Sequence, residues 1–175
     1  MVWRSHVLFG ISSLWLVSSF PDLWNAGTAG TMAACAALGA LLPDIDAGTA
    51  KIAQLSIGRM TPLATISMMA RDAFGHRGIT HSMVGTVLVG GVAAIVAGHW
   101  LGLSGAVALL LGYASHLIGD ACTVSGIPVL FPDRTRRFAL PKALRFVTNS
   151  RTEDFLLVLF AEASLALLLP LLFPR

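Results

Sequence analysis

Charged side chains are scarce in this sequence of 175 residues: Asp, Glu, Lys and Arg make up 12% of it, against about 25% in an ordinary soluble domain. This composition argues against a soluble globule, because too few polar side chains are present to coat it. Cysteine is also rare, and Cys35 and Cys122 form no CxxC pair, which argues against a disulfide framework or a cysteine zinc site. A hydrophobic content of 55% excludes intrinsic disorder, so the composition indicates a polytopic membrane protein.

Five stretches carry almost no formal charge and approach the length that crosses the hydrocarbon core of a bilayer. They are Val7–Phe20, Ala26–Pro43, Ser82–Leu101, Leu103–Gly119 and Phe155–Phe173. The sequence therefore predicts an all-α polytopic membrane bundle of about five transmembrane helices, with residues 1–175 as a single domain. Small residues crowd the second and third stretches, which predicts that these two helices lie at the centre of a tight bundle.

Two longer connections, Asp44–His81 and Asp120–Thr152, join these stretches. Within the first, Ile52–Ala73 predicts one or two short helices on the membrane surface. The second contains three prolines and predicts an irregular loop with about one helical turn. Eleven of the 12 basic residues fall in the N-terminal segment and in these two connections. The positive-inside rule then places the N-terminus and both connections of a multi-pass protein in the cytoplasm.

Imidazoles and carboxylates gather at the predicted cytoplasmic ends of the five stretches. The candidate metal ligands are His6, Asp44, Asp46, His76, His81, His116 and Asp120, and Glu153 begins the fifth stretch. Taken singly, each has an ordinary explanation, such as a solvated acid or a hydrogen-bonded pair on one helix face. Taken together they predict a metal site, because ionisable groups at a membrane boundary are costly without a partner and these side chains are ligands of Zn²⁺ and Mn²⁺.

Each ligand can be given a provisional role in hydrolysis. Asp46, His81, His116 and Asp120 are expected to be the core ligands, with His76 and Asp44 completing or orienting the shell. Glu153, or a carboxylate left unbound such as Asp44, is expected to act as general base, while Arg77 and Arg151 neutralise a substrate phosphate. These candidates exceed the three protein ligands of one catalytic zinc, so the expected cofactor is one or two divalent ions: Zn²⁺ first, with Mn²⁺ or Mg²⁺ as alternatives.

Three residues outside this set carry weaker expectations. Thr80 is expected to cap the helix that carries His81. His99, at the opposite end of the bundle, is interpreted as an interfacial, structural residue. Glu162 lies in the middle of the fifth stretch, where an acid is a candidate functional residue, although a protonated carboxyl bonded to a neighbouring Ser or Thr is the favoured interpretation.

The runs Leu-Leu-Pro-Asp-Ile-Asp, His-Arg-Gly-Ile-Thr-His-Ser and Gly-Tyr-Ala-Ser-His-Leu-Ile-Gly-Asp resemble motifs of the membrane-bound metal-dependent hydrolases, a family also labelled LexA-regulated or YdjM-like. The resemblance covers nearly the whole chain and includes Thr-Asn-Ser-Arg-Thr-Glu. It implies a bacterial inner membrane, a divalent metal and hydrolase activity, with the ligands named above as the matching positions. The chain departs from the pattern at Asn149, where glycine is expected, and at Thr123-Val124, where Thr-Pro is expected.

The location of the cluster suggests a substrate class. A site at headgroup depth, surrounded by basic residues of the second connection, suits a phosphoester of an anionic lipid or of a lipid-linked phosphate. The bilayer is then the expected partner, and nucleic acid is a poorer one because the loop has few aromatic residues for stacking. A metal-ion or proton transporter and a metal-stabilised scaffold without turnover stay open as alternatives, and the oligomeric state is undetermined.

Overall fold

The computed structural model describes residues 1–46 and 78–172. This part of the chain is helical and has no named strand; its extended pairings are two isolated β-bridges in the loop before the last helix. Helix α1 is Trp3–Ser12, continued by the 3₁₀ turn Ser13–Val17. Helix α2 is Ala29–Leu41, followed by the 3₁₀ turn Leu42–Asp46. The expected all-α class is confirmed for the described residues.

A helical stretch of 39 residues, Met83–Ala121, folds back on itself at Gly102. Gly102 has a φ of +75°, a left-handed conformation that glycine adopts without a steric penalty. A Cβ added to Gly90 would lie 3.2 Å from the Tyr113 ring, whereas residues 23 apart on a straight helix would be separated by roughly 35 Å. The two arms are therefore antiparallel. We name them α3 (residues 83–101, with a π turn at Thr86–Gly90) and α4 (residues 103–121).

The last helix, α5, is Arg151–Leu172. By length and composition, two helices in the described residues could each cross a membrane, Met83–Ala121 and Arg151–Leu171, and Ala29–Ile45 is a shorter apolar helix. Two candidate spans are fewer than the five expected, so the number of membrane crossings stays a prediction. Large apolar side chains point outward along these helices, for example Val87 at 72% and Ile95 at 75% exposure. Soluble monomers rarely expose apolar faces of this extent.

Helix α2 packs against α4 with almost no space between their backbones. A Cβ added to Gly39 would lie 2.1 Å from the carbonyl oxygen of Leu109, and one added to Gly112 would lie 2.0 Å from that of Ala36. Lipid supplies no hydrophobic drive between helices, so close packing of small residues has to hold them together. The expected central position of the second stretch is thus confirmed, and its close partner is the fourth stretch. The same expectation for the third stretch is wrong, because α3 exposes large apolar side chains such as Val87 and Ile95 along its length.

Hydrogen bonds and ring stacking join α1 to α5. Ser12 and Ser164 are linked through their hydroxyl oxygens at 3.1 Å, Phe9 stacks on Phe160, and the Trp15 indole N–H donates to the carbonyl of Ala163 at 3.0 Å. Contacts at the ends of the helices show how the helices are oriented. The first residues of α1, α3 and α5 meet the last residues of α2 and α4, and we call this end of the bundle the site end.

The connection between α4 and α5 also begins at the site end. It is irregular apart from one 3₁₀ turn, Lys142–Leu144, as expected. Its Arg134, Arg136, Arg137 and Lys142 side chains are exposed. The predicted surface helices of Ile52–Ala73 lie outside the described residues.

Candidate metal centre

Four predicted ligands from three segments meet at the site end: Asp44 from the turn after α2, His81 from the turn before α3, and His116 and Asp120 from α4. His81 Nε2 lies 3.3 Å from His116 Nε2, 3.5 Å from Asp44 Oδ1 and 3.8 Å from Asp120 Oδ2. His116 Nε2 lies 3.8 Å from each of the same two carboxylate oxygens. We call these four side chains the ligand quartet. Both histidines and Asp120 are buried, so this end of the interior holds two imidazoles and two carboxylates.

The orientation of His116 is set by a backbone carbonyl of α2. His116 Nδ1 donates to the carbonyl of Ala40 at 2.7 Å, because a carbonyl can only accept. Ala40 belongs to the last turn of α2, where carbonyls lack partners within the helix. In the neutral imidazole Nε2 then carries the lone pair that faces the quartet. Metal-binding histidines are commonly held in this way, by a hydrogen bond from the second ring nitrogen.

His81 is positioned by a short turn before α3. It ends the 3₁₀ turn Ile79–His81, which is held to α4 by the Tyr113 hydroxyl donating to the carbonyl of Thr80 at 2.6 Å. Thr80 Oγ1 lies 3.1 Å from His81 Nδ1, so Nε2 is again the atom that faces the cluster. The expectation that Thr80 caps the helix is wrong: the cap is Ser82, whose hydroxyl accepts the N–H of Gly85 at 3.2 Å.

His6 adds a third imidazole next to the quartet. Its ring stacks on that of His116 with centroids 3.6 Å apart, and its Nε2 lies 3.2 Å from Asp120 Oδ1. Among the described residues, neither nitrogen of this buried ring has a partner in hydrogen-bond geometry. Asp120 therefore turns one oxygen toward His6 and the other toward His81 and His116, and the terminal amine of Met1 also contacts it.

Asp44 is the most accessible member of the quartet. It lies in the turn after α2, and its side chain is 23% exposed. Burial alone would raise the pKa of its carboxyl, but the hydrogen bond from His81 and the nearby imidazoles of His116 and His6 outweigh burial, so the pKa lies below its usual range. Asp44 is therefore ionised at neutral pH, the form that binds a cation.

Glu153 lies at the site end but both of its carboxylate oxygens accept backbone N–H groups. Oε1 accepts from Val2 and Oε2 accepts from Asn149, each at 2.6 Å. These contacts join the beginning of α1 to the beginning of α5 and favour a structural role. The role of general base stays a prediction.

Asn149 has a φ of +61°, the left-handed region that glycine adopts most easily. This conformation accounts for the departure from the family pattern noted above, because asparagine tolerates it better than most residues do. We expect Asn149→Gly to keep the melting temperature within about 2 °C, whereas Asn149→Val should destabilise the protein by roughly 1–2 kcal/mol. Thermal unfolding of the two purified variants in the same detergent measures the difference, and equal melting temperatures would contradict the strain argument.

Several predicted residues are not among those brought together. His76 and Arg77 lie outside the described residues, and only the backbone of Asp46 is described, in the turn Leu42–Asp46. Arg151 is exposed at the start of α5. The roles of all four stay predictions.

Two residues away from the site were also assigned in advance. His99 is exposed near the hairpin turn, with its ring against Trp100, at the end opposite the site. The interpretation of Glu162 as a carboxyl bonded to a neighbouring hydroxyl is wrong. Its side chain is exposed, and the hydroxyl of Ser164 is bonded to α1 and to the carbonyl of Phe160.

Two groups that position the candidate ligands were not predicted from the sequence, the hydroxyl of Tyr113 and the carbonyl of Ala40. Tyr113 is the single tyrosine of the chain and belongs to one of the motifs quoted above, but the motif alone gave it no role. The carbonyl of Ala40 carries no side-chain signal at all. Both act across helices, so periodicity along one helix could not reveal them.

The donor set fits a divalent cation. Two ligands of one tetrahedral zinc, with bonds of about 2.0–2.1 Å, lie roughly 3.3–3.4 Å apart, and the two Nε2 atoms are 3.3 Å apart. Two lone pairs and two carboxylates at this spacing repel one another unless a cation or added protons lie between them. Two overlapping triplets have ligand atoms close enough for an ion: His6, His116 and Asp120, and Asp44, His81 and His116. His116 belongs to both triplets, and Asp120 to the one that includes His6.

The sequence is similar to a known family of inner membrane proteins over nearly its whole length. The family described as YdjM inner membrane protein matches residues 1–173. The chain is 34% identical to the protein YvsG of Bacillus subtilis over 94% of this chain and 92% of that protein. It is 32% identical to the inner membrane protein YdjM of Escherichia coli, over 81% of this chain and 70% of that protein. No solved structure gives a significant match.

Proposed function

Because the chain belongs to the YdjM inner membrane protein family, we propose that it is a multi-pass inner-membrane hydrolase that depends on one or two divalent metal ions, Zn²⁺ in the first place. The proposed ligands are the quartet and His6. The observation that carries the proposal is the approach of ligand atoms from separate helical segments to within 3.3–3.8 Å of one another. Buried ionisable groups in proteins are paired with one another or coordinate a metal, and both histidines and Asp120 of the quartet are buried.

The proposed topology has five membrane crossings. Each arm of the hairpin has 19 residues and is therefore about 28 Å long, close to the thickness of the hydrocarbon core. Helix α1 with its 3₁₀ turn reaches about 25 Å, and α2 is shorter, about 20 Å, with the turn that follows it carrying Asp44 at the site end. The basic residues then place the site end in the cytoplasm.

The proposed reaction is cleavage of a phosphoester of an anionic lipid or a lipid-linked phosphate. When bound, the divalent ion would supply Lewis acidity and an activated water near neutral pH. The chain contributes two imidazoles held with their Nε2 lone pairs toward the site and a buried carboxylate, Asp120. Asp44, the accessible carboxylate, is placed to accept a proton from the attacking water. Arg151 and Arg77, the two arginines predicted from the sequence for this role, would bind the phosphate.

The interior disfavours a transporter. Between the ligand cluster and the opposite end, the buried residues of the described helices are mainly apolar, namely Leu14, Met32, Cys35, Ala36 and Ala108. Transport sites lie near the midplane and are lined by polar or ionisable groups. A site at one end with an apolar core beyond it suits chemistry at the membrane surface.

A metal-stabilised scaffold is the second candidate, and one observation favours it. The quartet alone supplies four ligand atoms, which is the number that closes a structural zinc site, whereas a catalytic zinc keeps one position open. The exposure of Asp44 favours the hydrolase, because this ligand can yield its position to water or substrate.

Hydrolysis and metal content together test the proposal. The protein is purified in detergent, and phosphate release is measured from p-nitrophenyl phosphate, phosphatidic acid and a polyprenyl phosphate. We expect release from at least one lipid substrate, a loss of at least about 100-fold in chelator, and recovery on adding Zn²⁺ or Mn²⁺. Asp44→Asn should lower turnover about as much and leave ions bound by the other ligands.

The outcomes separate the candidates. Bound metal without turnover on any of these substrates would favour the scaffold, and a protein free of metal after purification and after incubation with Zn²⁺ and Mn²⁺ would overturn both. Activity that ignores the chelator would overturn metal dependence.

A further inference from the structure

An exposed stripe of heptad spacing runs along α5, and its central residue is ionisable. The stripe consists of Phe155, Val158, Glu162, Leu165 and Leu169, which alternate at steps of three and four residues. All five side chains are exposed, the apolar ones at 40–64%. Side chains at this spacing lie on one face of a helix, and this pattern is the seam of two-stranded coiled coils.

The position of Glu162 is costly in lipid. It lies 11 residues after Arg151 and 10 before Leu172, so about 15 Å of helix separates it from either end. A glutamate side chain is too short to reach water over that distance, and ionisable residues in a membrane normally face a protein partner. Among the described residues, no hydrogen bond or ion pair to its carboxyl is found.

Helix α3 provides the comparison. It also exposes a continuous face of large apolar side chains, including Val87, Val92 and Ile95, but none of its residues from Met83 to Gly98 is ionisable. Lipid covers such a face without penalty. The exposed stripe of α5 differs from the exposed face of α3 by one carboxyl, that of Glu162. A carboxyl in lipid is stabilised by a polar partner at the same depth.

We infer that α5 is a homodimerisation helix: the stripe packs against the same stripe of a second copy, with the two Glu162 carboxyls hydrogen-bonded to each other at the twofold axis. A second copy supplies a hydrogen-bonding group at the required depth, because identical residues meet when parallel helices cross on a twofold axis. A single polar residue in the seam also selects one register. The buried polar face of α5, with Ser164, is bonded to α1, so α1 occupies a different face of α5 from the exposed stripe.

Disulfide crosslinking in lipid tests the inference. In a Cys35→Ala, Cys122→Ser background, Val158→Cys and Leu165→Cys variants are reconstituted at low protein-to-lipid ratio and oxidised. Both should form covalent dimers, whereas Ile95→Cys, which is even more exposed on α3, should not. Adding Glu162→Leu to the Leu165→Cys variant should lower the association constant about five- to thirty-fold, the value of one interhelical hydrogen bond. Glu162→Gln should retain most of the association.

Several results would overturn this interface. Ile95→Cys crosslinking as efficiently as Val158→Cys, dimers insensitive to Glu162→Leu, or labelling of a Glu162→Cys variant by a membrane-impermeant maleimide would each do so. The inference rests on the proposed membrane crossing of α5 but not on the metal. A His116→Ala variant should therefore dimerise normally, so that failure of the interface and failure of the metal centre can be told apart.

Discussion

His116→Ala is expected to remove nearly all bound metal from the protein. The substitution deletes the one side chain that belongs to both ligand triplets. Loss of a residue that merely orients a ligand commonly weakens metal binding 10- to 100-fold. Loss of this ligand should weaken it by at least about 100-fold, and turnover, where measured, should fall with it.

Elemental analysis of protein purified in detergent measures this effect. The parent should carry about one or two Zn²⁺ or Mn²⁺ per chain after reconstitution, and His116→Ala should stay near background. The matched control is His99→Ala, which removes an exposed imidazole at the opposite end of the bundle. Equal metal content in the parent, His116→Ala and His99→Ala would contradict the assignment of the ligands.

Gly112→Ala is expected to be the most destabilising single methyl addition in α4. The new Cβ would lie 2.0 Å from the carbonyl oxygen of Ala36, a backbone atom that can move only if α2 shifts as a whole. We expect unfolding to become easier by about 3 kcal/mol or more, at the upper end of the usual range for point substitutions. Metal binding should weaken as well, because the bond from His116 to the Ala40 carbonyl crosses the same interface.

The control for this prediction is Gly91→Ala. Gly91 directly follows the π turn of α3. A Cβ there would meet nothing within 4 Å. It should keep the melting temperature of the parent or raise it slightly, since alanine favours the helix by roughly 0.8–1 kcal/mol over glycine. Melting curves followed by circular dichroism in detergent compare the variants. Equal melting temperatures for Gly112→Ala and Gly91→Ala would contradict the backbone contact between α2 and α4.

Local sequence was sufficient for most of the described helices, although α1 begins at Trp3, four residues before the predicted stretch. The apolar stretches predicted α4 and α5 to within a few residues, and the break between Leu101 and Leu103 marks the hairpin turn. The alternation of stretches also placed His6, His81 and His116 at one end, because successive antiparallel helices return their ends to the same level. These features depend on hydropathy and chain order, which a sequence displays directly.

The orientation of the ligands was decided by tertiary structure. Thr80 was expected to cap a helix, but the fold gives the cap to Ser82 and turns the hydroxyl of Thr80 toward His81. Glu153 was assigned as a base, yet its oxygens meet the backbone of Val2 and Asn149. In each case the choice depends on a group brought near from another segment, and spacing along one helix carries no information about it.

The sequence by itself therefore determined the helical class, most of the described helices and the end of the bundle at which the proposed metal ligands gather. Tertiary structure decided which atoms face one another, through the carbonyl of Ala40, the hydroxyl of Tyr113 and the close contact of α2 with α4. The physical reason is range. Hydrophobicity and helix formation act between near neighbours in the chain. A metal site, by contrast, requires ligand atoms to be placed to within tenths of an ångström, and these atoms belong to side chains that only packing brings together.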